Sequence, residues 1–199
     1  DFIVFFWYTL YRIIIGDATM SQLLSQAKFM GTKENLNTIV LRKQFEITDM
    51  PKKAVINATA LGVYFVKING QRLDDRYLAP GWTSYNKMLQ VQEYDCLTYL
   101  TKGLNTIEMY VNVGWYAGRL AWVNNYGIFG KEIAGPLELS LDDKVLYTDE
   151  TWDAFNTYIT SSSIYDGEII DYQYKETKLS IKEILYNKDL LVRQISEPV

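Results

Sequence analysis

The sequence predicts an all-β domain, an antiparallel β-sandwich with few short helices. Short runs alternate apolar and polar residues, as half-buried strands do. Turn-forming residues separate the runs, above all Asn69-Gly70. Aromatic residues make up 15% of the 199-residue chain, with 16 Tyr, 8 Phe and 5 Trp. With 48% apolar and 22% charged residues, a substantial core is within reach and disorder is excluded by composition.

The elements follow in order. Phe2 to Ile15 is a 14-residue apolar run broken by Arg12, short of the ~20 residues of a membrane span. It also lacks the basic start and small-residue cleavage site of a signal peptide. The first methionine is Met20, so residues 1–19 read as upstream readthrough, with an anchor or a buried strand as the alternatives. Met20–Met30 is a weak helix candidate. From Ile39, the pattern puts Ile39, Leu41, Phe45 and Ile47 on one strand face and Arg42, Gln44 and Glu46 on the other. Met50-Pro51-Lys52-Lys53 ends that strand, and Ala54–Thr59 is the next. Gly62 then shifts the phase, as a bulge or a close backbone approach would.

Val63–Ile68 runs into Asn69-Gly70, where a type I′ turn needs positive φ at both central positions, and Gln71–Leu73 returns. Further strands are expected at Leu89–Tyr94, at Thr106–Val113 with Ile107, Met109, Val111 and Val113 inward, and at Leu137–Leu141. Asp142-Asp143 turns the chain into Lys144–Tyr147. Lys178–Leu191, with Ile181, Ile184 and Leu185 at near-helical spacing, is the second weak helix candidate. The chain divides into residues 1–19, an N-terminal segment 20–38, the sandwich 39–175, and 176–199 as a linker towards a further domain.

Composition narrows the chemistry. There is no histidine, which removes Ser-His and Cys-His nucleophiles, HExxH zinc sites and histidine proton shuttles. The single cysteine, Cys96, excludes an internal disulfide framework and any multi-cysteine metal site. Twenty Lys and Arg against 24 Asp and Glu give a net charge of −4, with no basic surplus for nucleic acid or anionic lipid. Nucleic acid and membrane are therefore not expected partners, and the cysteine usage favours the cytoplasm. Carboxylates, amides and aromatic faces remain to carry function.

Several blocks occur together. They are Ala60-Leu61-Gly62-Val63-Tyr64, Ile68-Asn69-Gly70, Leu78-Ala79-Pro80-Gly81-Trp82-Thr83-Ser84-Tyr85, Tyr94-Asp95, Lys102-Gly103-Leu104-Asn105, Gly114-Trp115-Tyr116-Ala117-Gly118-Arg119-Leu120, Tyr126-Gly127, Thr148-Asp149-Glu150-Thr151-Trp152 and Ser163-Ile164-Tyr165-Asp166-Gly167-Glu168. In this order, over roughly Leu41 to Tyr172, the chain resembles the N-terminal accessory domain of bacterial α-L-rhamnosidases. The resemblance implies a jelly-roll, galactose-binding-like sandwich placed before an (α/α) barrel that carries the catalytic carboxylates. It implies L-rhamnose-containing glycans as ligands, the catalytic and neighbouring domains of the same polypeptide as partners, and no catalytic residue in this chain. Ser196-Glu197-Pro198-Val199 fits the start of an interdomain linker.

A pyranose site needs a flat aromatic face and polar groups for paired hydroxyls. Trp82, Tyr85 and Asn86 on the Pro80–Lys87 stretch, and Trp115, Tyr116 and Arg119 among glycines, supply them. Tyr126 follows with the amides of Asn124 and Asn125. Trp82 and Trp115 read more readily as core or interface aromatics, and Arg119 could equally sit in a structural ion pair with Asp95 or Glu132. Asn69 is explained by its turn. The resemblance also implies a candidate for calcium-assisted rhamnose binding, as in some sandwich modules attached to these enzymes; calcium wants six to eight oxygens, Lys87 beside Asn86 speaks against such a site, and no cofactor or metal is expected. Asp166 and Glu168 at i and i+2 would stand about 7 Å apart on one strand face, near the spacing of an inverting glycosidase pair. Asp-Gly is a turn dipeptide, however, which favours a structural or interdomain role. Three functions compete: a carbohydrate-binding module, a structural spacer docking its aromatics on neighbouring domains, and a self-sufficient glycosidase using Asp166 and Glu168.

Overall fold

The computed structural model describes residues 23–121 and 125–194. The apolar run 1–19, the start of the Met20–Met30 stretch, Asn124 and the closing Ser196–Val199 lie outside the described residues.

The chain runs through β1 (Met30–Thr32), β2 (Thr38–Ile47), β3 (Ala54–Ala58), β4 (Val63–Ile68), β5 (Gln71–Arg72), β6 (Leu89–Asp95) and β7 (Gly103–Asn112). A one-turn helix α1 (Gly114–Ala117) follows, then β8 (Arg119–Leu120), β9 (Asn125–Tyr126), β10 (Leu137–Leu141), β11 (Lys144–Tyr147), β12 (Asp153–Phe155), β13 (Ile159–Ser163) and β14 (Gly167–Ile170). The last strands are β15 (Lys178–Leu179), β16 (Ile181–Glu183) and β17 (Leu191–Arg193). A six-stranded sheet, in the order β15-β12-β2-β7-β4-β5, faces a five-stranded sheet in the order β11-β10-β3-β6-β17. All neighbours in both sheets are antiparallel except β17, which runs parallel to β6. The fold is an antiparallel β-sandwich.

The expected alternations set the register. Ile39, Leu41, Ile107, Met109 and Val111 are fully buried between the sheets with Ile56, Ala58 and Leu139 opposite. Gly62, at φ +143°, allows the close approach the sequence suggested: a Cβ there would lie 2.1 Å from the Asn112 carbonyl oxygen. The β4–β5 hairpin turns on Asn69 (φ 51°) and Gly70 (φ 79°), as a type I′ turn requires. The Asn69 amide does more than turn: it donates to Tyr99 O (3.0 Å) and Asn105 Oδ1 (2.9 Å), and its Oδ1 accepts from Thr106 N–H.

A second core covers the outer face of the five-stranded sheet. β6 alternates between the two, with Tyr94 in the first and Leu89 and Val91 in the second. Leu24, Ala27, Phe29, Leu61, Tyr85, Tyr116 and Leu191 complete it. The outer face of the six-stranded sheet carries an aromatic cluster, with Tyr158 packed on Tyr110 and Tyr174 on Tyr158. Phe65 stacks on its cross-strand partner Tyr110 at 4.6 Å, with the Arg72 guanidinium 4.9 Å from the Phe65 ring.

Both helix expectations are corrected. Residues 23–29 form turns and irregular chain that leads into β1. Lys178–Leu191 is extended as β15 and β16, with only a short 3-10 turn at Lys188–Leu190. The reason is pairing: β16 lies along β1, from Met30 opposite Glu183 to Thr32 opposite Ile181. The stretch expected as a linker from residue 176 therefore supplies three strands over its described part, and β17 closes the edge of the five-stranded sheet. No helix among the described residues is long and apolar enough to cross a membrane.

Candidate functional site

The fold brings the Pro80–Lys87 loop against the α1 turn. The loop is anchored from below. Gln92, buried on β6, donates from Nε2 to Pro80 O (3.2 Å) and to Gln194 Oε1 (3.0 Å), while its Oε1 accepts from the Tyr64 hydroxyl at 2.7 Å. Within the loop, Ser84 O accepts from the backbone N–H of Lys87 and Met88, and Thr83 Oγ1 donates to Met88 O at 2.6 Å.

This framework sorts the predicted residues. Trp82 is 60% exposed and its ring lies 6.4 Å from that of half-buried Trp115, only 18° from parallel. Asn86 is exposed on the same loop. Tyr85 points the other way. It is 1% exposed, meets Tyr116 edge-on at 5.2 Å and Phe129 at 5.0 Å, and its hydroxyl donates to Gly81 O. Burial pushes the Tyr85 phenol well above its ordinary value, with Tyr186 and Tyr116 adding to the effect. Tyr116 is likewise buried, its phenol raised by desolvation first and by Glu132 second. These two tyrosines are plugs that seat the loop and the α1 turn in the second core, so neither ring presents a face to a ligand.

Arg119 and Tyr126 fall in a second place. They are cross-strand partners in β8–β9 and line a cleft of about 270 Å³ with Asn37, Ser161–Ser163 and Asp166. Arg119 pairs with neither Asp95 nor Glu132. Its Nη2 donates to Asp166 Oδ1 at 2.7 Å, and its guanidinium sits 5.2 Å from the Tyr165 ring; Glu132 pairs with Lys182 instead. Sequence reasoning weighed Asp166 as half of a catalytic pair and favoured a structural or interdomain role for it, and it did not name Ser161–Ser163 as site residues. A run of three serines on an otherwise apolar-flanked strand was the available signal. Asp166 lies in the turn before β14, its Oδ2 accepting from Ser163 Oγ at 2.8 Å, and Glu168 accepts from Ser162 Oγ at 3.4 Å. Both carboxylates are thus engaged with their own hairpin, and Asp166 with Arg119 as well.

A calcium ion needs six to eight oxygens, usually including carboxylates. The loop at Ser84–Lys87 offers two short oxygen side chains and an ammonium. No group of three or more His, Cys, Asp or Glu side chains gathers there or elsewhere among the described residues. The residues present do not fit that ion.

The sequence pattern described as the Alpha-L-rhamnosidase N-terminal domain matches residues 49–192. An α-L-rhamnosidase of Formosa agariphila is 35% identical over 150 residues, 71% of this chain and 16% of that protein. Among solved structures, native α-L-rhamnosidase from Aspergillus terreus matches with TM-score 0.75 and 29% identity, over 84% of this chain and 22% of that one. The Streptomyces avermitilis α-L-rhamnosidase complexed with L-rhamnose matches with TM-score 0.64 and 27% identity, over 78% of this chain and 16% of that one. The chain thus spans about a fifth or less of the length of these relatives.

Proposed function

The chain belongs to the α-L-rhamnosidase N-terminal domain family, and from that membership we propose that it is a non-catalytic carbohydrate-binding domain. Its ligand would be an L-rhamnose-containing glycan, and hydrolysis would belong to other domains of the same polypeptide. The observation that carries this is the exposed Trp82 indole, held beside Trp115 on a loop whose underside is plugged by Tyr85. A flat aromatic face on a rigid support is what the C–H side of a pyranose stacks on, and the neighbouring Asn86 amide can serve hydroxyls as donor and acceptor. That a relative of this fold was solved with L-rhamnose supports the choice of sugar.

Titrating the chain with L-rhamnose by calorimetry tests it. Saturable binding in the millimolar range, lost in Trp82→Ala, is expected. No heat up to tens of millimolar, where binding is worth only about 2–3 kcal/mol, would overturn the reading. A structural interdomain scaffold without sugar affinity would then take its place. One observation favours that second reading: the β13–β14 hairpin forms a two-stranded sheet of its own, exposes Ile169 and Ile170, and is followed by Tyr172 at 92% exposure, an apolar edge suited to a neighbouring domain.

A further inference from the structure

The cleft beside Arg119 is separate from the tryptophan pair: it takes Val113, Ala117 and Gly118 from the α1 turn, and neither Trp82 nor Trp115 lines it. Its volume of about 270 Å³ is just below the range of pockets for drug-sized ligands, the size for a single sugar ring. Its polar groups are fixed in advance. The Arg119 guanidinium is clamped between the Asp166 carboxylate and the Tyr165 ring, and the Tyr165 hydroxyl in turn accepts from Ala121 N–H at 2.9 Å. Asp166 is held by Ser163 Oγ, which itself accepts from the backbone N–H groups of Asp166 and Tyr165.

One donor is left over. Arg119 Nε is buried and has no hydrogen-bond partner. A buried donor of that kind calls for an acceptor that the protein itself does not supply. A guanidinium beside a carboxylate is a donor beside an acceptor, and the 2.7 Å between Arg119 Nη2 and Asp166 Oδ1 matches the spacing of oxygens on neighbouring ring carbons. One hydroxyl oxygen can accept from the guanidinium while the adjacent hydroxyl donates to the carboxylate, both bonds strengthened by charge. Tyr126 and Ile169, both exposed at the rim, offer apolar surface for the C–H side of the ring. The charge of Arg119 is already matched by Asp166, and Glu168 lies against Ser162, so an anionic sugar meets no free cation here.

We propose that this cleft is a second sugar subsite, which takes one neutral pyranose by two vicinal hydroxyls held between Arg119 and Asp166. The inference rests on the carbohydrate-binding reading but uses different residues, so the two can fail separately. The test is an amide and side-chain ¹⁵N correlation titration of the whole chain with L-rhamnose. The Arg119 Nε–H reports the cleft, and the indole N–H groups of Trp82 and Trp115 report the tryptophan pair.

The expected result is a saturable shift of Arg119 Nε–H and the Ser161–Gly167 amides, retained in Trp82→Ala. The affinity read from the Ser161–Gly167 amides should weaken at least tenfold in Asp166→Asn, which keeps the shape of the site, and in Arg119→Lys, which keeps the charge and removes the planar fork. Galacturonate should leave these resonances unmoved. Indole shifts without any cleft shift would sink the second subsite and leave the first standing. Cleft shifts that persist unchanged in both variants, or that galacturonate reproduces, would overturn the proposal as well.

Discussion

Consider removing one oxygen from the middle of the sandwich by Tyr64→Phe. The Tyr64 hydroxyl is buried among Ala58 O at 2.9 Å, Gln92 Oε1 at 2.7 Å and the Tyr94 hydroxyl at 3.0 Å. With a single proton it donates to one acceptor and receives from Tyr94, so its loss leaves the Gln92 carbonyl and the Tyr94 hydroxyl without their partner. A buried polar group stranded in this way costs about 1–3 kcal/mol, so the expected loss is about 2 kcal/mol. At this chain length that lowers Tm by roughly 4–8 °C. Denaturant unfolding and calorimetry check the figure, with Tyr172→Phe at the exposed surface as the control that should change nothing.

The same variant has a pH signature. Burial raises the Tyr64 phenol well above its ordinary 10.0, and Tyr94 adds to the effect; Tyr85, Tyr94 and Tyr110 are raised by burial too. A phenol protonated in the fold and ionised in the unfolded chain gives full stability below pH 10, lost as pH rises towards the folded value. Each costs up to about 1.4 kcal/mol by one pH unit above 10. All four act in the same direction, so the fold loses stability as the pH rises above 10. Tyr64→Phe should therefore be less stable near neutrality yet fall less steeply in alkali. An unchanged Tm, or an alkaline limb as steep as that of the parent chain, would refute the reasoning.

Other outcomes follow from single positions. Gly62→Ala drives a Cβ into the Asn112 carbonyl at 2.1 Å from a φ of +143° and should cost about 3 kcal/mol or more in denaturant unfolding. Gly135→Ala meets the flexible end of Met109 at 2.6 Å and Val111 Cγ2 at 3.1 Å and should cost about 1–2 kcal/mol. Cys96 is fully buried and its thiol is pushed up to about 12, mainly by burial. A thiol reagent should therefore label it only under unfolding conditions, and rapid labelling of the native chain would contradict its placement. With no carboxylate cluster at the Ser84–Lys87 loop, a chelator should leave L-rhamnose affinity within about twofold, checked by repeating the calorimetric titration.

Local signals made the central strands legible. Leu137–Leu141 alternates because it lies between β11 and β3 with one face on the core, and Asn69-Gly70 fixes the turn after Val63–Ile68 by backbone sterics alone. Lys178–Leu191 misled for the opposite reason. Ile181, Ile184 and Leu185 stand at near-helical spacing, yet Ile181 pairs with Thr32, Ile184 packs on the second core and Leu185 is exposed. What makes the segment extended is β1, far earlier in the chain, and periodicity within a window carries no information about a strand outside it.

The site divides along the same line. Composition and spacing marked Trp82, Trp115, Arg119 and Tyr126, since aromatic and guanidinium groups among glycines are conspicuous in any order. They could not say that Tyr85 and Tyr116, three and one residues from the tryptophans, face inward. In an irregular loop no fixed period assigns side chains to faces, so only the second core decides which ring is buried. Nor could they pair Arg119 with Asp166, 47 positions apart. Each residue alone has a bland explanation, one as a surface cation and the other as a turn carboxylate before glycine. Only the arrival of the β13–β14 hairpin beside β8 makes them one group. The orphaned Nε of Arg119 is then a property of that meeting: the hairpin brings one carboxylate to a fork of five donors, and the buried Nε–H is left without an acceptor from the protein.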